Sequence, residues 1–333
     1  MIKTVASIPL PVMEKLEIHK NRLESGDGDN KKRISIVTGI HGDELEGQYV
    51  CFEVSRRIQE HPEYLNGIVD IYPAMNPLGI DSITRGIPAF DLDMNRVFPG
   101  SGDGSMTEYM ASKIMDDLVG SDLCIDIHAS NIFLTEIPQV RINELHRDQL
   151  VPIAKDLNID LIWVHSNSTV LESTLAYSLN SRNTPTLVVE MGVGMRITKS
   201  YCEQLSDGIF HVMKKMGMWS GPAVEPRTPI LAEKEDAVAF LNAPIAGVFI
   251  SQANHGDYLK EGDAIGLIVD PLQGAILERM KAPVEGILFT IREYPMVDEG
   301  SLIARILKAG YQEAPESFAE KRTREGEEVS HEN

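Results

Sequence analysis

Residues 39–47 read Gly-Ile-His-Gly-Asp-Glu-Leu-Glu-Gly and follow the apolar run Ile34-Ser35-Ile36-Val37-Thr38. His41 and Glu44 therefore stand three residues apart where a strand should end. An imidazole and a carboxylate at that spacing can face one point if the chain bends there. Gly39 and Gly42 make such a bend accessible, because glycine reaches backbone angles that other residues avoid. A third donor is available in His128, the last residue of Leu123-Cys-Ile-Asp-Ile-His128. Two ligands from one turn and a distant third fit a catalytic zinc centre, which keeps one position open for water.

Such donors need a rigid frame. Apolar, strand-like runs occur at 33–39, 67–73, 122–128, 160–165 and 185–190, and helical periodicity fills 43–59, 106–119 and 198–217. Alternation of this kind indicates an α/β domain with a largely parallel or mixed sheet flanked by helices. Reactive groups in such sheets collect at the carboxyl ends of strands. His41, His128 and Glu190 each stand where an apolar run ends. Taken singly, each has a bland reading: a hydrogen-bonded core histidine, a first-turn helix acid at Glu44, a structural carboxylate at Glu190. Their agreement in position favours one site.

Near residue 220 the pattern changes. Ser220-Gly221-Pro222 and Pro226 to Pro229 read as a linker, and 230–307 holds short strands with many glycines. This part repeats itself. Ala243-Pro-Ile-Ala-Gly-Val-Phe249 is echoed by Ala282-Pro-Val-Glu-Gly-Ile-Leu288, and Tyr258–Ile265 by Met296–Ile303. Two copies of strand, turn and strand predict a small all-β barrel or sandwich, similar to the biotinyl/lipoyl-like barrel. The expected organisation is a catalytic α/β domain over 1–220, a β-barrel-like capping domain over 221–310, and a disordered tail over 311–333 that is too polar to offset its ordering entropy.

The formal net charge of -19 over 333 residues argues against nucleic acid and anionic membrane surfaces as partners, since both need a basic face. It does not exclude an anionic small molecule, which needs only a few local arginines. Cys51, Cys124 and Cys202 are odd in number and widely spaced, as expected of reduced thiols. With no signal-peptide pattern and no apolar run long enough to span a bilayer, the expectation is a soluble, cytoplasmic protein.

Four motifs carry a resemblance: Gly39-Ile-His-Gly-Asp-Glu44, Asp93-Met-Asn-Arg-Val-Phe-Pro-Gly100, Asp126-Ile-His128 and Val189-Glu-Met-Gly192. In this order, residues 33–307 resemble the succinylglutamate desuccinylase/aspartoacylase family, a branch of the zinc carboxypeptidase superfamily. The resemblance implies one zinc per chain on His41, Glu44 and His128, with Glu190 as the general base that later protonates the leaving amine. It further implies that Asn95 and Arg96 bind a substrate carboxylate and that Arg85 helps to stabilise the oxyanion. Tyr294 falls roughly where the family presents a substrate-contacting tyrosine. Arg141 could contact a second carboxylate or a polar acyl group, or be an exposed strand residue. Asp126 and Asp43 are each either partners of a ligand or structural. A homo-oligomer is possible by the same analogy.

The resulting expectation is a hydrolase for a small N-acyl amino acid or related amide. A carboxypeptidase acting on peptides is the enzymatic alternative. A metal-binding interaction protein is disfavoured, since a structural zinc site needs neither Glu190 nor Arg96. A biotin or lipoyl carrier would use Lys281, after Met280. The hairpin that carries the modified lysine in such domains instead falls near Asp270–Gly274, which has none.

Overall fold

The computed structural model describes residues 1–26, 31–88, 92–166, 172–234 and 236–310. It begins with strands β1 (Ile2–Pro9), β2 (Lys15–Ser25) and β3 (Arg33–Thr38). Helix α1 (Glu46–Glu60), strand β4 (Gly67–Tyr72) and helices α2 (Pro77–Ser82) and α3 (Met106–Leu118) follow. Next come β5 (Leu123–His128), β6 (Leu134–Asn143), α4 (Arg147–Ala154) and β7 (Leu161–His165). Helix α5 (Leu175–Asn180), β8 (Thr186–Gly192) and α6 (Lys199–Lys215) complete this part.

Strands β2, β4, β3, β5, β8 and β6 are neighbours in that order. β4, β3, β5 and β8 run parallel, while β2 and β6 are antiparallel to their neighbours. The central strands are buried on both faces, which is why they read as nearly continuous apolar runs. Ile34, Ile36, Ile125, Ile127, Leu187 and Val189 belong to one core with α1 and α6. Val37, Tyr72 and Cys124 belong to a second core with α3. Helix α1 buries Val50, Cys51, Val54 and Ile58, the three-and-four spacing of one helical face. Helix α3 starts at a capping box in which Ser105 and Glu108 satisfy each other's backbone N–H groups.

The strands and helices expected in 33–217 are present, with ends moved by no more than three residues. The hairpin of β1 and β2, and strand β6, had not been expected.

From residue 230 onward the described residues form strands and no helix: β9 (Ile230–Ala232), β10 (Val238–Asn242), β11 (Gly247–Ser251), β12 (Tyr258–Leu259), β13 (Ala264–Asp270), β14 (Ala275–Lys281), β15 (Gly286–Arg292), β16 (Met296–Val297) and β17 (Leu302–Lys308). Their pairing follows the sequence repeat. β11 pairs with β13 and β16, and β15 pairs with β17 and β12, so each short strand joins the opposite copy. The turn between β13 and β14 contains no lysine, and Lys281 ends β14. One copy goes further: β15 pairs antiparallel with β6, with Thr290 opposite Glu136. That contact joins the C-terminal strands to the central sheet and gives a single sheet of thirteen strands.

Among the described residues no helix is long and apolar enough to cross a membrane. All three cysteines are free and buried. The expected tail, 311–333, lies outside the described residues.

A buried ion cluster ties the N-terminal hairpin to the sheet. Arg22 on β2 donates a fork of two hydrogen bonds to Asp70 on β4, at 2.7 and 2.6 Å. Lys20 Nζ reaches Asp70 at 3.2 Å and Asp117 at 2.6 Å, and the Tyr72 hydroxyl donates to Asp117 at 2.7 Å. The Asp70 side chain has no exposed surface and that of Lys20 only 4%. Burial alone would raise the Asp70 pKa, but Arg22 and Lys20 hold it below its ordinary value. Its contribution is therefore full above the unfolded pKa of about 3.9 and lost as pH falls through the lower folded one. Asp70→Ala leaves Arg22 without its acid and Lys20 with Asp117 alone. It is expected to cost about 3–5 kcal/mol in urea unfolding at pH 7, and a loss below about 1 kcal/mol would show that the cluster is solvated.

Candidate active site

The turn after β3 requires both of its glycines, for different reasons. Gly39 has φ +72°, in the left-handed region. Gly42 needs space: a Cβ there would run into the backbone of Gly79 at the start of α2. The Gly42 N–H donates to Thr84 O at 3.1 Å, so the turn is fastened to the segment that carries Arg85.

This turn brings His41 and Glu44 against the end of β5. His41 Nδ1 lies 2.8 Å from Glu44 Oε1, and His128 Nδ1 lies 2.9 Å from Glu44 Oε2. The two Nδ1 atoms are 3.2 Å apart. All three side chains are buried. They form a group of possible metal ligands whose donor atoms all lie within 4.8 Å of one another. Two facing imidazole nitrogens beside a carboxylate are a donor set that a divalent cation would satisfy with one contact each.

Each imidazole is backed by a second acid through its other nitrogen. Asp93 Oδ1 is 3.0 Å from His41 Nε2 and also accepts the Asn95 N–H at 2.8 Å. Asp126 Oδ2 is 3.2 Å from His128 Nε2, though neither of these atoms makes an aligned hydrogen bond. Carboxylates so placed fix the ring and favour coordination through the opposite nitrogen. The charges follow. Burial would lower both histidines, but Glu44 and Asp93 raise His41, and Asp126 and Glu44 raise His128 well above its ordinary value. Burial would raise Glu44, and the two imidazoles outweigh it and hold Glu44 far below the usual carboxylate range. Asp43 is buried beside this group, and burial raises its pKa.

Glu190 lies on β8 directly opposite His128 on β5. Burial raises its pKa, against the pull of Arg141 and His128. Arg141 Nη1 stands 3.2 Å from Glu190 Oε1, and Arg141 Nη2 donates to Glu136 at 2.9 Å. Arg141 is thus neither an exposed strand residue nor a free cation.

A cavity of about 380 Å³ joins these groups. His41, Glu44, His128 and Glu190 line it, together with Arg85, Asn95, Arg96 and Arg141. Arg85 Nη1 donates to Glu44 Oε1 at 2.8 Å and Nη2 approaches Asp93 at 3.5 Å. Asn95 and Arg96 stand on a single turn of 3-10 helix, Met94–Arg96, capped by the Asp93 side chain. Asn95 Oδ1 accepts the N–H of Leu175 at 2.9 Å, which leaves its amide nitrogen as the donor. Arg96 donates from Nη1 to Asn95 O at 2.8 Å.

Tyr294 is the expected site residue that the structure does not bring to the cavity lining. Its side of the β15–β16 turn is pinned outward: the N–H groups of Glu293 and Tyr294 donate to Phe133 O, and the Tyr294 ring packs edge-on against Phe133. The C-terminal strands reach the cavity through Arg305 on β17 instead. Arg305, Asp93 and His165 were not singled out in the sequence. Asp93 stood inside a quoted motif, and its cap position before Asn-Arg was a usable signal. His165 ends β7, another strand end. Burial pushes it down to about 4, with Arg141 and Arg305 adding to the effect, so it is neutral at pH 7. Nothing local marks Arg305.

A sequence profile of the succinylglutamate desuccinylase/aspartoacylase catalytic domain matches residues 30–216. The chain is 26% identical over 280 residues to the N-alpha-acetyl-L-2,4-diaminobutyric acid deacetylase of Halomonas elongata, covering 81% of this chain and 80% of that one. A solved succinylglutamate desuccinylase/aspartoacylase from Rhodobacter sphaeroides shares the fold with a TM-score of 0.76 at 24% identity, over 92% of this chain and 94% of that one. The product-bound ectoine utilization protein EutE of Ruegeria pomeroyi does so with a TM-score of 0.77 at 19% identity, over 91% and 93%. The profile spans more than half of the chain and contains both histidines, Glu44 and Glu190, and on that ground the chain belongs to the succinylglutamate desuccinylase/aspartoacylase family and is an amidohydrolase.

Proposed function

We propose that this chain is a zinc-dependent deacylase that cleaves the amide bond of a small N-acyl amino acid or related N-acyl amine. The observation that carries the proposal is the meeting of His41 Nδ1, Glu44 and His128 Nδ1 beside Glu190 in one cavity wall. Two imidazoles and one carboxylate would hold the ion, a donor set that suits zinc. When bound, zinc would supply Lewis acidity, lowering the pKa of a water and polarising the amide carbonyl.

The remaining work falls to side chains. Glu190 takes the proton that the attacking water gives up and hands it to the amide nitrogen, which departs as an amine only once protonated. Its burial supports this role, because a carboxylate raised toward neutrality can both accept and return a proton. Arg141 steadies the carboxylate from the side away from His128. Arg96, with the Asn95 amide nitrogen beside it, holds the carboxylate of the substrate, since a guanidinium pairs with a carboxylate through two parallel hydrogen bonds. Arg85 favours negative charge developing on the carbonyl oxygen. A cavity of about 380 Å³ suits a small substrate better than an extended peptide. The deacetylase from Halomonas elongata, whose name gives an N-acetyl amino acid as its substrate, supports the substrate class.

Three outcomes test this reading. Glu44 and the acid behind each ring raise both histidines above their ordinary pKa, so zinc competes with protons for them. Its affinity, measured by chelator competition, is expected to rise at least about tenfold between pH 6 and 8. An affinity independent of pH would remove these histidines as ligands. Glu190→Gln is expected to retain zinc and lose about 10²–10⁴ in kcat. Near-normal turnover in that variant sinks the mechanism. Arg96→Ala is expected to raise KM about tenfold, with a smaller change in kcat, on N-acetyl, N-succinyl or N-formyl amino acids. Amine release from short peptides alone would make the chain a carboxypeptidase instead.

A further inference from the structure

Glu136 has no exposed surface and lies outside the cavity lining, yet it gathers side chains from three strands. Arg141, on its own strand β6, donates from Nη2 at 3.1 and 2.9 Å to the two carboxylate oxygens. Thr290 on β15 donates from Oγ1 at 3.0 Å to Oε1. Arg305 on β17 donates from Nη1 to the same oxygen. Arg141 spends its other terminal nitrogen on Glu190. A guanidinium is planar and rigid, so fixing Nη2 fixes where Nη1 points.

The geometry points to Glu136 as a positioning residue that locks Arg141 against Glu190, with Thr290 and Arg305 of the C-terminal strands completing the lock. The inference rests on the reading that Glu190 moves the proton. A carboxylate at this position does what a neutral side chain cannot. It accepts from four N–H and O–H contacts at once, because an ionised carboxylate has about four lone-pair sites and no donor of its own. Two guanidiniums converge on it, and the Trp163 ring lies 5.9 Å from the Arg141 head group and 5.8 Å from that of Arg305. Without the acid the two cations would repel, and Arg141 would be held by Glu190 alone.

This assigns the C-terminal strands a part in the reaction that requires no contact between them and the substrate. They place two donors on Glu136, and through it they set Arg141. Displacing a reacting group by about 1 Å can cost about 100-fold in rate.

The test uses the zinc-loaded full chain and three variants. Glu136→Gln swaps an acceptor oxygen for a donor. Arg305→Lys keeps the charge and removes the guanidinium donor that reaches Glu136. Thr290→Val removes one donor with little change of shape. The expected result is a fall in kcat per folded, zinc-loaded site of about 10–100-fold for Glu136→Gln and Arg305→Lys and a smaller one for Thr290→Val. KM and zinc content should stay near wild type, and a crystal structure of Arg305→Lys should show Arg141 moved from Glu190. If Glu136→Gln does not fold, the other two variants decide. The inference is overturned if the folded variants differ only in melting temperature, or if KM rises while kcat holds. Glu190→Gln runs alongside as control: full activity there would overturn the proton-transfer role itself, whereas its silence beside a normal Arg305→Lys overturns only the lock.

Discussion

The constraint on which the rest of this structure depends is the crowding of His41, Glu44 and His128 into one buried spot. Three polar donors that have lost water must find partners, or their burial costs several kcal/mol. They find each other, and Glu44 is shared between two imidazoles. That solution holds charge as well as geometry. Asp93 and Asp126 stand directly behind the histidines and Arg85 bonds Glu44 and approaches Asp93, so three carboxylates meet two imidazoles and a guanidinium. Asp126 lacks an aligned hydrogen bond to either oxygen although it is buried. A divalent cation at the three donors would compete with protons for the two imidazoles.

The sheet exists in the form that makes this crowding possible. His128 and Glu190 are register partners on β5 and β8, so their spacing is set by main-chain hydrogen bonds rather than by loops. β3 lies on the other side of β5, and its terminal turn returns His41 and Glu44 over the strand end. The Gly42 contact with α2 clamps that turn from behind. Groups built on strands in this way keep their positions better than groups on loops. Arg85, Asn95 and Arg96 lie outside the strands, and each is tied down: Arg85 by Glu44, Asn95 by the Leu175 N–H and Arg96 by the Asn95 carbonyl.

What could be read in the sequence follows from how local each determinant is. His41 and Glu44 share one turn, and strand ends mark His128 and Glu190, so apolar runs and spacing were enough. Asn95 and Arg96 needed only a short motif. The failures are failures of long-range register. Strand β6 carries Glu136, Gln139 and Arg141 among its apolar residues, which breaks the apolar run that marks a strand buried on both faces. Two of its polar side chains meet partners far along the chain: Glu136 meets Thr290 and Arg305, and Arg141 meets Glu190. Tyr294 was placed by a register that the sequence could not supply. One residue of slip exchanges the two faces of a strand, and the pairing of β15 with β6 turns the Tyr294 loop toward Phe133 instead.

That pairing also explains an asymmetry within the C-terminal repeat. The two copies use equivalent strand pairs, yet only the second copy, through β15, meets the central sheet. By the sequence repeat, Ser251 and Leu267 stand in the first copy where Thr290 and Arg305 stand in the second. In the first copy Leu267 stands opposite Arg279 on β14, where an arginine would meet a like charge. The second copy meets Glu136, and there an apolar residue at 305 would leave the acid with one guanidinium in place of two. The copies therefore diverge in chemistry at the positions where only one of them touches the catalytic half. A repeat that served only to cap or to pack has no need of a half-buried, acid-paired arginine in one copy alone.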